Sequence, residues 1–369
     1  MVIIMIKPQE HFHGSDLEKI ERIYGIKKED ITSFSANVNP LGISPNLKKT
    51  LADKIDAITG YPDREYTSLR KCIANYIKGN MDNIVVGNGS TELISLFIQL
   101  INPKNALILA PTYSEYEREI NLNGGTCNFY GLSEDNDFKL DLADLELHLE
   151  KDIDLLVICN PNNPTSTSIT IHQMEEILKI CKKNDIITMV DETYVEFAPN
   201  IHEITSVPLT DNYDNIIILR GISKFFAAPG LRLGYAICGN KLLMDELNKK
   251  KNPWTINTLA AIAGEIMFTD EEYINKTRTL IENERDRVFN MLSVCGNIKV
   301  YEPTANFILV KILKEGVTSS HLFDVAIKEG LMIRDCSTFT FLDNTFIRFC
   351  FMSPEMNTKL ALLLLEELE

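Results

Sequence analysis

The strongest constraint on the fold of this chain is a series of short, β-rich apolar runs alternating with amphipathic segments: NIVV (83–86), ALILA (106–110), DLLVIC (154–159), IITMV (186–190), NIIIL (215–219) and GYAIC (234–238). Strands that are apolar along their whole length are buried on both faces. Strands separated by helical stretches join in parallel, so the pattern predicts an α/β fold with a mainly parallel sheet covered by helices on both sides. Leu93, Leu96, Phe97, Leu100 and Ile101 recur at helical spacing, which places a helix directly after the GNGS loop (87–90), with Ser90 or Thr91 as its cap. A chain of 369 residues, 45% of them hydrophobic, can bury a large core and favours more than one lobe. The expected division is an N-terminal arm at 1–45, a large domain at 46–250 and a small C-terminal domain at 251–369.

Charge and composition narrow the function. A formal net charge of −15 argues against nucleic acid or an anionic membrane as partner, because both require basic surface. Any anionic substrate must then be drawn by local positive groups. Eight cysteines occur without a CxxC pair or a metal-ligand spacing, and Cys159 and Cys238 fall in strand-like apolar runs, as reduced core thiols do. The opening MVIIMIKPQEHFHG has too short an apolar run for a signal peptide, and no run reaches the length of a membrane span. A cytoplasmic enzyme is expected.

The segment GISKFFAAPGLRLGY (221–235) carries the chemistry. Lys224 would sit in a loop at the carboxyl end of the NIIIL strand, the edge where open α/β sheets collect ligands. A deprotonated lysine attacks carbonyls, while Ser223 and the forked cation of Arg232 suit a phosphate ester. Together they point to a phosphorylated aldehyde, and pyridoxal 5'-phosphate fits that description. Its phosphate needs backbone N–H donors, which Gly89, Ser90 and Thr91 would present at a helix N-terminus; an ordinary capped helix reads the same way. Its ring nitrogen needs a carboxylate. Asp191, at the end of the IITMV strand, and Glu192 beside it are the two candidates.

These and further segments resemble the fold type I pyridoxal phosphate enzymes, in the branch that holds histidinol-phosphate aminotransferases and threonine-phosphate decarboxylases. The resemblance runs through HFHGSD (11–16), SFSANVNPLG (33–42), GYPDREY (60–66), GNGSTE (87–92), PTYSEY (111–116), NPNNPT (160–165), VDETYVEF (190–197), the lysine segment and NPWTINTLAAIAGE (252–265), and so covers nearly the whole chain. It implies a mainly parallel seven-stranded sheet in a large domain, with a smaller α+β C-terminal domain. It also favours Asp191 over Glu192 as the partner of the ring nitrogen. By the same resemblance Asn163 and Tyr194 hold the phenolic oxygen, Tyr113 covers the ring, and Tyr61 reaches the cofactor phosphate of a partner chain in a homodimer. On the substrate side it implies Arg348 as the carboxylate fork, Arg334 as a second cation, Asn37 from the opposite wall with Asn163, and His13 and Gly14 in an arm lying over the site.

The HGSD start and the tryptophan segment around Trp254 resemble the decarboxylases more than the aminotransferases. The implied reaction is decarboxylation of L-threonine O-3-phosphate to (R)-1-amino-2-propanol phosphate in cobalamin synthesis, with histidinol-phosphate or related aminotransfer as the alternative. Both use Lys224, Asp191 and Tyr194, and the bond that breaks is decided by orientation. Three positions depart from the family pattern. Tyr194 stands where some decarboxylases have phenylalanine and many aminotransferases have tyrosine. Gly221 stands where relatives often have a hydroxyl residue, and Ser166 replaces the glycine that usually ends NPxNPTG.

Overall fold

A computed structural model of the chain describes Gly14 and residues 16–149 and 152–369. His13 lies outside the described residues. The central sheet has seven strands in the order Ile84–Gly87, Gly234–Cys238, Ile216–Gly221, Ile187–Asp191, Leu155–Cys159, Asn105–Ala110 and Thr126–Gly131. Gly234–Cys238 runs antiparallel to both of its neighbours, while the remaining pairings are parallel. The fold is therefore the mainly parallel α/β arrangement that the apolar runs imply, with the seven strands that the family resemblance implies.

Alternate residues of each strand feed separate cores on the two faces of the sheet. Val157, Met189, Ile217 and Leu219 pack on one side, and Leu156, Ile158, Val190 and Ile218 on the other. Burial on both faces explains why these strands read as unbroken apolar runs. Thr126–Gly131 has no such run. It is one of the two edge strands, half of its residues are exposed, and its sequence TCNFYG carries no continuous hydrophobic signal.

A second sheet of four antiparallel strands, in the order Arg334–Asp335, Phe346–Cys350, Phe307–Ile312 and Ile298–Val300, lies in the C-terminal part. The short strand Thr32–Ser33 pairs in parallel with Leu331–Met332, which anchors the N-terminal segment to that part. Gly14 packs so tightly on this segment that a Cβ there would stand 2.5 Å from the Ser35 carbonyl oxygen. No helix among the described residues is long and apolar enough to cross a membrane.

The helix after the GNGS loop spans Gly89–Ile101, and its cap corrects the sequence reading: Asn88 is the N-cap, while Ser90 and Thr91 lie in the first turn. The shift follows from Gly89, whose φ of +79° turns the chain into the helix two residues earlier than a Ser90 cap would. The Glu92 carboxylate reaches back to the Asn88 N–H at 2.6 Å and accepts a hydrogen bond from Thr255. The N–H groups of the first turn have no carbonyl one turn back to bond, so they are left to a ligand.

Candidate active site

Strand ends, the helix N-terminus and the two sheets meet around one cavity of about 440 Å³. Lining it are Gly14, Asn37, Gly89, Ser90, Thr91, Tyr113, Asn163, Asp191, Tyr194, Ser223, Lys224, Arg232, Arg334 and Arg348. Residues singled out in the sequence thus share one cavity, although they span most of the chain. Tyr61 is not among the lining residues of its own chain. It stands exposed on another face, 5.0 Å from the ring of Trp254, which is in turn covered by Arg64.

Lys224 follows the strand Ile216–Gly221 and donates from Nζ to the Ala36 carbonyl at 2.7 Å. Burial, reinforced by the positive charge of Arg348, lowers its pKa to about 8, so a neutral amine is accessible near physiological pH. Asp191 ends the neighbouring strand. Its Oδ1 accepts from the backbone N–H and the hydroxyl of Thr193 at 2.9 and 2.5 Å, and its Oδ2 accepts from the Tyr116 hydroxyl at 2.7 Å. Burial raises the pKa of this carboxyl, and the hydrogen bonds oppose that shift.

Glu192, the other sequence candidate, points away. Side chains alternate along a strand, so the residue next to a cavity-facing aspartate enters the opposite layer. There Glu192 accepts from Arg220 Nη2 at 2.7 Å, from Thr205 Oγ1 at 3.0 Å and from the Ser206 N–H at 2.6 Å. Its hydrogen-bonding capacity is taken up by that buried cluster.

The phosphate end is built from backbone. A Cβ on Gly234 would fall 2.4 Å from the Ser90 nitrogen, so only glycine lets this strand approach the helix N-terminus. A Cβ on Gly89 would meet Arg232 Nη2 at 2.4 Å, which places that guanidinium over the first turn. Ser90 and Ser223 lie beside Gly221, where an added Cβ would make only ordinary contacts, with the Leu233 carbonyl oxygen at 3.7 Å and the two hydroxyls at 3.9 and 4.0 Å. A serine would fit at 221, so the missing hydroxyl leaves space within the cradle.

At the other end two arginines converge. Arg348, on the strand Phe346–Cys350, donates to Asn163 Oδ1 and to the Ser35 carbonyl at 2.6 Å, and its Nε has no partner among the described residues. Arg334 donates to the Thr338 hydroxyl at 3.0 Å and lies 5.2 Å from the centre of the Phe339 ring. Burial and the neighbouring Arg348 both press its pKa downward. Asn37, in the left-handed region at φ 56°, donates to the Tyr194 hydroxyl at 3.3 Å, and its Oδ1 is buried without a partner among the described residues. Burial raises the Tyr194 pKa, and the Tyr113 phenol is raised to about 12 for the same reason.

Sequence reading missed the carbonyls of Ser35 and Ala36, the hydroxyls of Thr193 and Thr338, and Tyr116. Backbone acceptors carry no residue signature. Tyr116 was legible only as a second tyrosine one helical turn after Tyr113.

Comparisons with known proteins identify the family. The family pattern described as Aminotransferase class I and II matches residues 29–363. The chain belongs to this family. Threonine-phosphate decarboxylase of Salmonella typhimurium (strain LT2) is 31% identical over 348 residues, 94% of each chain. The adenosylcobalamin biosynthesis bifunctional protein CobDQ of Leptospira interrogans is 33% identical over 94% of this chain and 40% of its own length. A solved structure of histidinol-phosphate aminotransferase from Clostridium acetobutylicum superimposes with a TM-score of 0.84 at 34% identity, covering 90% of this chain and 98% of the other.

The chain is thus a pyridoxal-phosphate-dependent enzyme, and the cavity fits that cofactor. It offers a half-buried lysine, a glycine-built anion cradle at a helix N-terminus, and a buried carboxylate on the strand next to the lysine's.

Proposed function

We propose that this enzyme decarboxylates L-threonine O-3-phosphate to (R)-1-amino-2-propanol phosphate, the linker precursor of cobalamin. The observation that carries the reading is the convergence of Arg334 and Arg348 on one cavity with Lys224, three basic groups where the chain as a whole is strongly acidic. Neighbouring cations destabilise one another when desolvated, so their placement calls for a ligand with two anionic groups. A phospho-amino acid carries a phosphate and a carboxylate in one molecule, whereas aminotransfer would meet these cations with the phosphate of histidinol phosphate in one half-reaction and the two carboxylates of glutamate in the other. The named decarboxylase and cobalamin relatives support the same choice.

Pyridoxal phosphate, held by Gly89, Ser90, Thr91, Ser223, Arg232, Asn163, Tyr194, Tyr113 and Asp191, supplies an electron sink for the pair left when a Cα bond breaks. Asp191 keeps a proton on the ring nitrogen. Arg348 and Asn37 fix the carboxylate, Arg334 takes the phosphate, and Gly14 lines the cavity from the N-terminal segment. Lys224, with its lowered pKa, would anchor the carbonyl carbon of the cofactor as a neutral amine and, once protonated from solvent, would deliver that proton to Cα. Tyr61 reaches the cofactor phosphate of a second copy, making a homodimer with shared sites that works in the cytoplasm.

Reaction in deuterium oxide tests the chemistry. A decarboxylase retains the original Cα hydrogen and adds one deuteron, so the aminopropanol phosphate is one mass unit heavier. Loss of the Cα hydrogen with formation of a 2-oxo acid overturns the reading.

Aminotransfer is the second reading. It is favoured by Tyr194, which many aminotransferases share, and by the likeness to the Clostridium aminotransferase.

A further inference from the structure

The hydroxyl of Tyr116 has no place in the roles assigned above, yet it is buried against the carboxylate on which the chemistry depends. Tyr116 is 1% exposed, stands in the first turn of the helix Glu115–Leu122, and meets the ring of Tyr113 edge-on at 5.6 Å. Its hydroxyl lies 2.7 Å from Asp191 Oδ2.

The two oxygens of Asp191 are used differently. Oδ1 receives two donors, both from Thr193, which fill its lone-pair sites. Among the described residues Oδ2 receives only Tyr116, so it is the oxygen with capacity left for one further donor. We infer that Tyr116 is a positioning residue which, with Thr193, presents Asp191 Oδ2 to the protonated ring nitrogen of the cofactor and keeps that proton on the ring. This inference rests on the cofactor site proposed above.

The physical reason is competition for one proton. Burial raises the basicity of this carboxylate, and each hydrogen bond it accepts offsets part of that rise, so the donors help keep a shared proton on the pyridine nitrogen. Replacing the Tyr116 hydroxyl by hydrogen leaves Oδ2 with a single donor in a desolvated site. Asp191 then becomes the stronger base, and the proton moves toward it.

The test is Tyr116→Phe, loaded with pyridoxal phosphate labelled with nitrogen-15 in the ring. The wild-type enzyme should give the signal of a protonated ring nitrogen. Tyr116→Phe should move that signal toward the position seen in Asp191→Asn, whose residue 191 cannot hold the proton in place. Its dissociation constant for the cofactor should rise about tenfold, as for loss of a hydrogen bond to a charged group. That rise should vanish for an analogue whose ring nitrogen is replaced by carbon, a result that loss of packing alone does not give.

Thr193→Val, which removes the other side-chain donor, should shift the signal the same way and serves if Tyr116→Phe folds poorly. An unchanged nitrogen signal in both variants overturns the inference while the cofactor site stands. Failure of the wild type to take up the cofactor overturns the site and the inference together.

Discussion

At the residue scale the account turns on Lys224. Burial is the larger cause of its lowered pKa and the Arg348 charge the next, and both disfavour the ammonium form. The neutral fraction therefore grows as pH rises through about 8, rather than through the ordinary lysine range above 10. Attachment of pyridoxal phosphate, followed by its visible absorbance, should accelerate up to about pH 9 and then level. An Arg348→Leu variant should shift the inflection upward. A profile still rising above about pH 10 would show an unperturbed amine. In Lys224→Ala no borohydride-fixed cofactor should remain at this position.

Lys224 and Asp191 were legible in the sequence because each stands at the carboxyl end of an apolar run, Asp191 directly after IITMV and Lys224 in the loop that follows NIIIL. The choice of Asp191 over Glu192 was not readable from composition. Adjacent acidic residues look alike in sequence, and strand alternation sends one to the cavity and the other to Arg220.

Single contacts decide how the elements are joined. Ser166 stands at φ 62°, where a glycine is expected, yet its hydroxyl accepts from the Thr304 and Ala305 N–H groups at 3.1 and 2.9 Å. It ties the NPNNPT turn to the segment leading into the strand Phe307–Ile312, so the serine exchanges backbone ease for two hydrogen bonds. Ser166→Ala keeps the strain and removes the acceptor. Urea denaturation should show a loss of about 1–3 kcal/mol, the cost of leaving the buried Ala305 N–H unpaired while the Thr304 N–H keeps the Ser166 carbonyl at 2.9 Å; an unchanged midpoint would mean that the turn is held by other contacts.

Gly234→Ala drives a Cβ into the Gly89–Ser90 peptide. It should destabilise the fold by more than about 2 kcal/mol or abolish cofactor retention, both measurable by thermal unfolding with and without pyridoxal phosphate. The buried strands were visible as apolar runs, whereas the edge strand Thr126–Gly131 was not. The helix cap at Asn88 lies two or three residues before the Ser90 or Thr91 that the sequence offers, because the deciding property is a backbone angle, not a side chain.

At the scale of the whole molecule, a chain with formal charge −15 gathers Lys224, Arg232, Arg334 and Arg348 around one cavity. Local charge against the overall field selects a compact dianion rather than a polyanion. Tyr61, exposed beside Trp254, takes its proposed role only in a second copy. If sites are shared, mixing inactive Lys224→Ala chains with inactive Tyr61→Ala chains should restore about a quarter of wild-type activity, because half of the random dimers hold one intact site. No recovery on mixing would show that each chain carries a self-contained site.

The most direct test of the central claim is a product assay with the cofactor-loaded enzyme and L-threonine O-3-phosphate, with no 2-oxo acid present. The account predicts sustained release of carbon dioxide with an equal amount of aminopropanol phosphate, identified by mass spectrometry. No carbon dioxide, together with glutamate formed from histidinol phosphate and 2-oxoglutarate, would contradict it and make this enzyme an aminotransferase.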